Sequence, residues 1–172
     1  MDDPLKALAD SLAEITRQER QSESATQTVV AEYTEWVNGV AVPALERVKA
    51  TIACSDDHVE VDVDPSTGFE PPRPSLQVYR PEQPAFVYTL FLHPQTGTER
   101  ALVMKRHTVF DPDIGRSSSR WATKFEETPL IDEGAGGRRN DAKTISADEI
   151  IGDVGRDYLA HRRRQWRLPD PY

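Results

Sequence analysis

The chain reads as an α+β domain: an antiparallel β meander of four to five strands, packed by a long N-terminal helix and a C-terminal helix. Three observations predict this. Residues 1–54 show helical periodicity, residues 58–110 show short alternating or β-branched runs punctuated by Pro and Gly, and a capping box opens a final helical stretch at Ser146. The 172 residues suffice for one domain with a sizeable core. Within it, a helical segment (1–54) precedes an α+β core (55–172).

Leu5, Leu8, Leu12 and Ile15 recur at alternating spacings of three and four, and the frame continues through Val29, Tyr33, Trp36 and Val40. This is a heptad stripe, broken where the frame meets Glu19, Ser22 and Thr26. It predicts one helix from about Pro4 to Trp36 or Val37. Such a helix is roughly 50 Å long, more than a small domain is wide, so part of it must overhang or bend. Asn38-Gly39 predicts a break near 38–43, after which Pro43 opens a short helix with Leu45, Val48 and Ile52 on one face. Two roles compete for the stripe. Either it covers the protein's own sheet, or Leu5, Leu8, Leu12 and Ile15 lie beyond the domain and form a coiled coil with another protein or a second copy of this chain.

His58 to Asp64 alternate strictly, with Val59, Val61 and Val63 on one face and His58, Glu60, Asp62 and Asp64 on the other. After the Pro-rich run 69–74, Ser75 to Tyr79 predict a second strand with Leu76 and Val78 inward. Ala85–Leu92 and Ala101–Phe110 predict a central hairpin joined across Pro94–Thr98. A loop of that length sets Phe91 against Ala101, Leu90 against Leu102 and Tyr88 against Met104. Both faces are then apolar, so cover on both sides is expected. Trp121–Phe125 predict a fifth strand, and the Gly-rich, charged run 131–143 a flexible excursion. The last helix spans 146–167, with Ile150, Ile151, Val154, Tyr158 and Leu159 as its apolar face and acids before bases, as its dipole favours.

Charge narrows the function classes. The net charge of −8 is concentrated in the first seventy residues, and an acidic half repels a phosphate backbone, so nucleic acid is not an expected partner of that half. A single cysteine, Cys54, excludes an intrachain disulfide and a paired-thiolate zinc site. No apolar run reaches membrane-spanning length and the first residues are acidic, so no membrane partner and a cytoplasmic location are expected.

No motif assembles a convincing active site. His58, Glu60, Asp62 and Asp64 offer oxygen and imidazole ligands on one strand face, and with Lys105 and His107 they outline a metal-dependent hydrolase or nuclease built on Glu60 and Asp62. Residues two apart on a strand are roughly 7 Å from each other, however, too far for all four to grip one ion, and the same pattern marks any half-exposed strand. Gly134-Ala-Gly-Gly137 before Lys143-Thr144 lacks the Gly required directly ahead of the Lys of a phosphate loop. Asp111 and Asp113 begin a calcium-loop pattern that is not completed. Arg162, Arg163 and Arg164 with Trp166 could touch nucleic acid, but such a run is more commonly a helix end or the answer to acids elsewhere in the chain.

The expectation is therefore a protein–protein interaction module without enzymatic activity or cofactor: a small acidic adaptor, chaperone or regulatory subunit acting through its N-terminal helix and a sheet edge. Alternatives are an immunity-type or nucleic-acid-mimic inhibitor of a basic partner, and the hydrolase on Glu60 and Asp62.

Overall fold

The computed structural model describes residues 4–53, 57–65, 70–81, 83–93, 100–110, 123–131 and 140–165. Helix α1 (Pro4–Trp36) passes through a π-helical turn (Val37–Ala41) into α2 (Val42–Ile52). Five strands follow, β1 (His58–Asp64), β2 (Arg73–Tyr79), β3 (Phe86–Leu92), β4 (Val103–Phe110) and β5 (Thr123–Pro129), then a short 3-10 turn (Ala142–Thr144) and α3 (Ala147–Gln165). The sheet is an antiparallel meander in chain order, β1-β2-β3-β4-β5. The expected α+β class, with its long N-terminal helix and C-terminal helix, is the observed one.

The helix does not leave off at Asn38-Gly39. Both flanks, Trp36 and Val42, keep right-handed helical angles, and the Val42 N–H reaches back five residues to the Val37 carbonyl. Pro43 explains the wide turn, because it has no N–H for the carbonyl four residues earlier and its ring would collide there. Phase explains its usefulness. At roughly 100° per residue, an unbroken α-helix would point Val29, Tyr33 and Trp36 roughly 90° away from Ala41, Ala44, Leu45 and Val48. One π-turn removes about that much rotation, so both groups face one core, where all seven are buried.

That core lies between the helices and one face of the sheet, built from Leu76, Val78, Phe86, Tyr88, Leu90 and Val103 on the strands with Ile150 and Val154 on α3. The Trp36 indole N–H donates to the Ile145 carbonyl at 3.1 Å, tying α1 to the start of α3. The capping box at Ser146 forms as expected. Its backbone N–H donates to Glu149 Oε2 at 2.8 Å, and Ser146 Oγ accepts from the Glu149 N–H at 3.3 Å.

Three sequence expectations need correction. The hairpin pairs Leu92 with Val103, Leu90 with Lys105 and Tyr88 with His107, three residues from the predicted register. An odd shift turns every β4 side chain to the opposite face. Consequently Lys105 and His107, rather than Met104, point into the helix layer.

The second correction concerns cover. Among the described residues helices pack one face of the hairpin only, while Val87, Thr89, Phe91 and Met104 on the other are half-buried and Arg106 is exposed. The third concerns only the bounds of the excursion read over 131–143: residues 132–139 lie outside the described residues, and the described ends are fixed in place. Asn140 Oδ1 accepts from the Ile131 N–H at 2.7 Å and its amide donates back to the Ile131 carbonyl at 3.0 Å. Ala142 and Ile145 are buried. Trp121, Gly134–Gly137, Asp111 and Asp113 lie outside the described residues.

Candidate interaction surface

Every residue from 5 to 24 of α1 is exposed, and the first buried one is Val29. Those twenty residues form an arm roughly 30 Å long standing clear of the core. Its heptad stripe is its most apolar feature: Leu5 is 73% exposed, Leu8 55%, Leu12 56% and Ile15 51%. The rest of the arm is held as helix by local contacts. Glu14 Oε1 accepts from Arg17 at 2.8 Å and from Gln18 at 2.9 Å, and these hydrogen bonds, Arg17 first, hold its carboxyl below the usual carboxylate range. Ser11 and Thr16 hydroxyls turn back onto the carbonyls four residues earlier, Ala7 and Leu12, at 2.9 Å. The Glu14 contacts add only tenths of a kcal/mol each, the hydroxyl back-bonds add no helix stability, and a lone helix of this length is marginal in water. An arm of this kind is stabilised when its apolar stripe is covered.

The flanks of the stripe matter as well. In the heptad frame the positions beside the seam are Ala9, Ser11, Thr16 and Gln18, small or uncharged, so nothing there repels a second helix. The arm is also nearly neutral between Pro4 and Ser24, which hold three basic and four acidic side chains. The acidity read from the sequence sits mostly further along the chain.

The hydrolase candidates are on opposite faces of the sheet. Asp62 lies in a row with Ser75, Thr89, Arg106 and Glu127, whereas Val61, Leu76, Tyr88 and His107 form the neighbouring row on the helix side, with Lys105. On the outer face Glu60 Oε1 lies 2.7 Å from His58 Nε2, and Asp62 Oδ1 accepts from the Val63 N–H at 2.9 Å. Among the described residues no three His, Cys, Asp or Glu side chains group as metal ligands.

Lys105 belongs to a different cluster, one the sequence reading missed. Its ammonium donates to both Asp153 oxygens, at 2.9 and 2.8 Å, and to Asp157 Oδ2 at 2.8 Å. Three protons meet three acceptors, which leaves none for a ligand. Asp153 also accepts from the Tyr88 hydroxyl at 2.7 Å and from Arg156 at 2.8 Å. Burial, then the nearby Asp153 charge, raises Tyr88 well above the usual phenol value, so it stays protonated as the donor. The available signal was Asp153 and Asp157 at helical spacing, flanking the buried Val154, which puts carboxylates on the sheet-facing side of α3.

A second enclosed carboxylate occupies Arg162. Asp57, its side chain 1% exposed, pairs with Arg80 and with Arg162 Nη1 at 2.8 Å, and accepts from the Tyr158 hydroxyl at 2.9 Å. Arg162 thus answers an acid within the chain. Arg163 is exposed, and the Arg164 side chain and Trp166 lie outside the described residues. No described helix is long and apolar enough to cross a membrane. Comparison with family models, curated proteins and solved structures finds no match to this chain.

Proposed function

We propose that the protein is a protein–protein interaction module whose N-terminal helical arm is an assembly element, with a second copy of the chain as its partner. The observation that carries this reading is the stripe Leu5, Leu8, Leu12 and Ile15, more than half exposed on a helix that leaves its own domain. Larger apolar side chains in an ordered row on a solvent-exposed helix mark a contact surface. The sheet edge at β1, with Glu60, Asp62 and Asp64 exposed in one row, is a second surface, suited to a basic partner.

Magnitude sets the regime. With about half of its surface still to bury, each of four side chains per arm contributes roughly 1–1.5 kcal/mol, so a pair of arms gains about 8–12 kcal/mol. Association costs at least about 4 kcal/mol, so the dissociation constant is no tighter than roughly micromolar and falls in the micromolar-to-millimolar range when that minimum applies. Light scattering across that range tests the reading. The full chain is expected to rise from monomer to dimer mass, and deletion of residues 1–20 to hold it at monomer mass. A truncated chain with the same mass profile as the full one would refute it.

A further inference from the structure

The geometry points to an antiparallel pairing of two arms, centred between Leu8 and Leu12, with the two domains at opposite ends of the assembly. This rests on the assembly reading above and specifies how the second copy is held.

The first argument is steric. The heptad frame that is exposed at Leu5 to Ile15 is occupied at Val29, Tyr33 and Trp36 by the protein's own core, all three being buried. An α-helix drifts only about 20° per heptad against such a frame, so over three heptads the domain still leans toward the side on which the arm's partner lies. Parallel arms would run 8–10 Å apart. Each would then carry a body with a radius of gyration of roughly 15 Å leaning toward the seam, and the two bodies would claim the same space.

The second argument is electrostatic. In a parallel, in-register pair Glu19 follows Ile15 into a core position and meets its own copy, so two carboxylates share the seam. Reversing one arm removes both conflicts. Leu5 then lies opposite Ile15 and Leu8 opposite Leu12, so the apolar block is matched end to end, while Glu19 falls beyond the partner's Leu5. At the middle the two copies of Ala9 meet on one side of the seam and the two copies of Ser11 on the other, small residues that let the backbones approach. The partner's first helical residue, Pro4, falls opposite Thr16, roughly 20 Å short of Val29, where the core begins. Neither domain obstructs the other arm.

A distance across the dimer decides between the orientations. Thr28 is exposed just before the core, and a spin label on the full-length Thr28→Cys protein, with Cys54→Ser to leave one thiol, reports the separation of the two domains. Antiparallel arms place the two positions roughly 54 Å apart along the axis, parallel arms within about 25 Å. A dimer with the long distance, lost in Leu8→Glu, is the expected result. A short distance that is lost in Leu8→Glu overturns the antiparallel arrangement and leaves the arm as the assembly element. A dimer that survives Leu8→Glu, or a monomer at every concentration, overturns both readings.

Discussion

Replacing Lys105 with Met removes one charge from the enclosed cluster between β4 and α3 while keeping an apolar stem of similar length. The side chains involved are largely shielded from water, 9% exposed for Lys105, 6% for Asp153 and 17% for Asp157. Removing one partner of a buried ion pair typically costs 3–5 kcal/mol, because the other charge is left without compensation. Asp153 keeps the Tyr88 hydroxyl and Arg156, so the lower end applies, about 3 kcal/mol. For a chain of this size that lowers Tm by roughly 6–12 °C. Urea titration and thermal unfolding at pH 7, followed by circular dichroism, measure both quantities. A companion variant, Lys105→Met with Asp153→Asn and Asp157→Asn, abolishes the orphaned charges and should recover most of the loss, since neutralising a whole buried cluster is far milder than breaking it. A loss below about 1 kcal/mol for Lys105→Met alone would refute the reasoning, showing that water reaches the carboxylates.

Three further outcomes follow from the same structure. Ser146→Ala removes the oxygen that accepts the Glu149 N–H, and a stability loss of about 1 kcal/mol in urea titration is expected; no change would mean that the capping box contributes nothing to α3. Tyr33 is fully buried and its hydroxyl has no hydrogen-bond partner among the described residues, so Tyr33→Phe should stabilise the fold by about 1 kcal/mol, and destabilisation of that size would reveal an acceptor. Burial, chiefly, lowers the pKa of His161 below its ordinary 6.5, so the unfolded chain takes up this proton before the folded one. Stability is accordingly full above pH 6.5 and declines as pH falls through the window beneath it, and in urea titrations at pH 7.5 and 5.5 the His161→Gln variant should lose less than the parent. An equal loss in both proteins would exclude His161 as the source.

The helices and strands were legible because their signals are local: a heptad frame, strict alternation in His58–Asp64, and a capping box at Ser146. Even the position of the π-turn was marked by Asn38, Gly39 and Pro43, although punctuation alone does not say whether a helix ends or re-phases. What decides is that Tyr33 and Leu45 must both reach one core, which is a tertiary demand. The hairpin register failed for a related reason. β3 is apolar on both faces and β4 carries polar residues on both, Lys105 and His107 on one and Arg106 and Thr108 on the other, so parity of burial gave no choice between registers, and a short loop was the default. The deciding interaction joins Lys105 to acids about fifty residues downstream on α3, and a single strand read by itself cannot show it. The stripe of arm residues can be read from spacing alone, but whether it covers the sheet or leaves it depends on where the core stops, at Val29.

The π-turn also fixes what kind of handle the arm is. Because α1 enters α2 without a joint, and is rooted by Tyr33, Trp36 and Val37 before it does so, the arm shares one helix axis with the part seated on the core. Whatever grips Leu5 to Ile15 therefore sets the heading of the whole domain, as a shaft sets the heading of its blade, where a stringlike tether would let its cargo tumble.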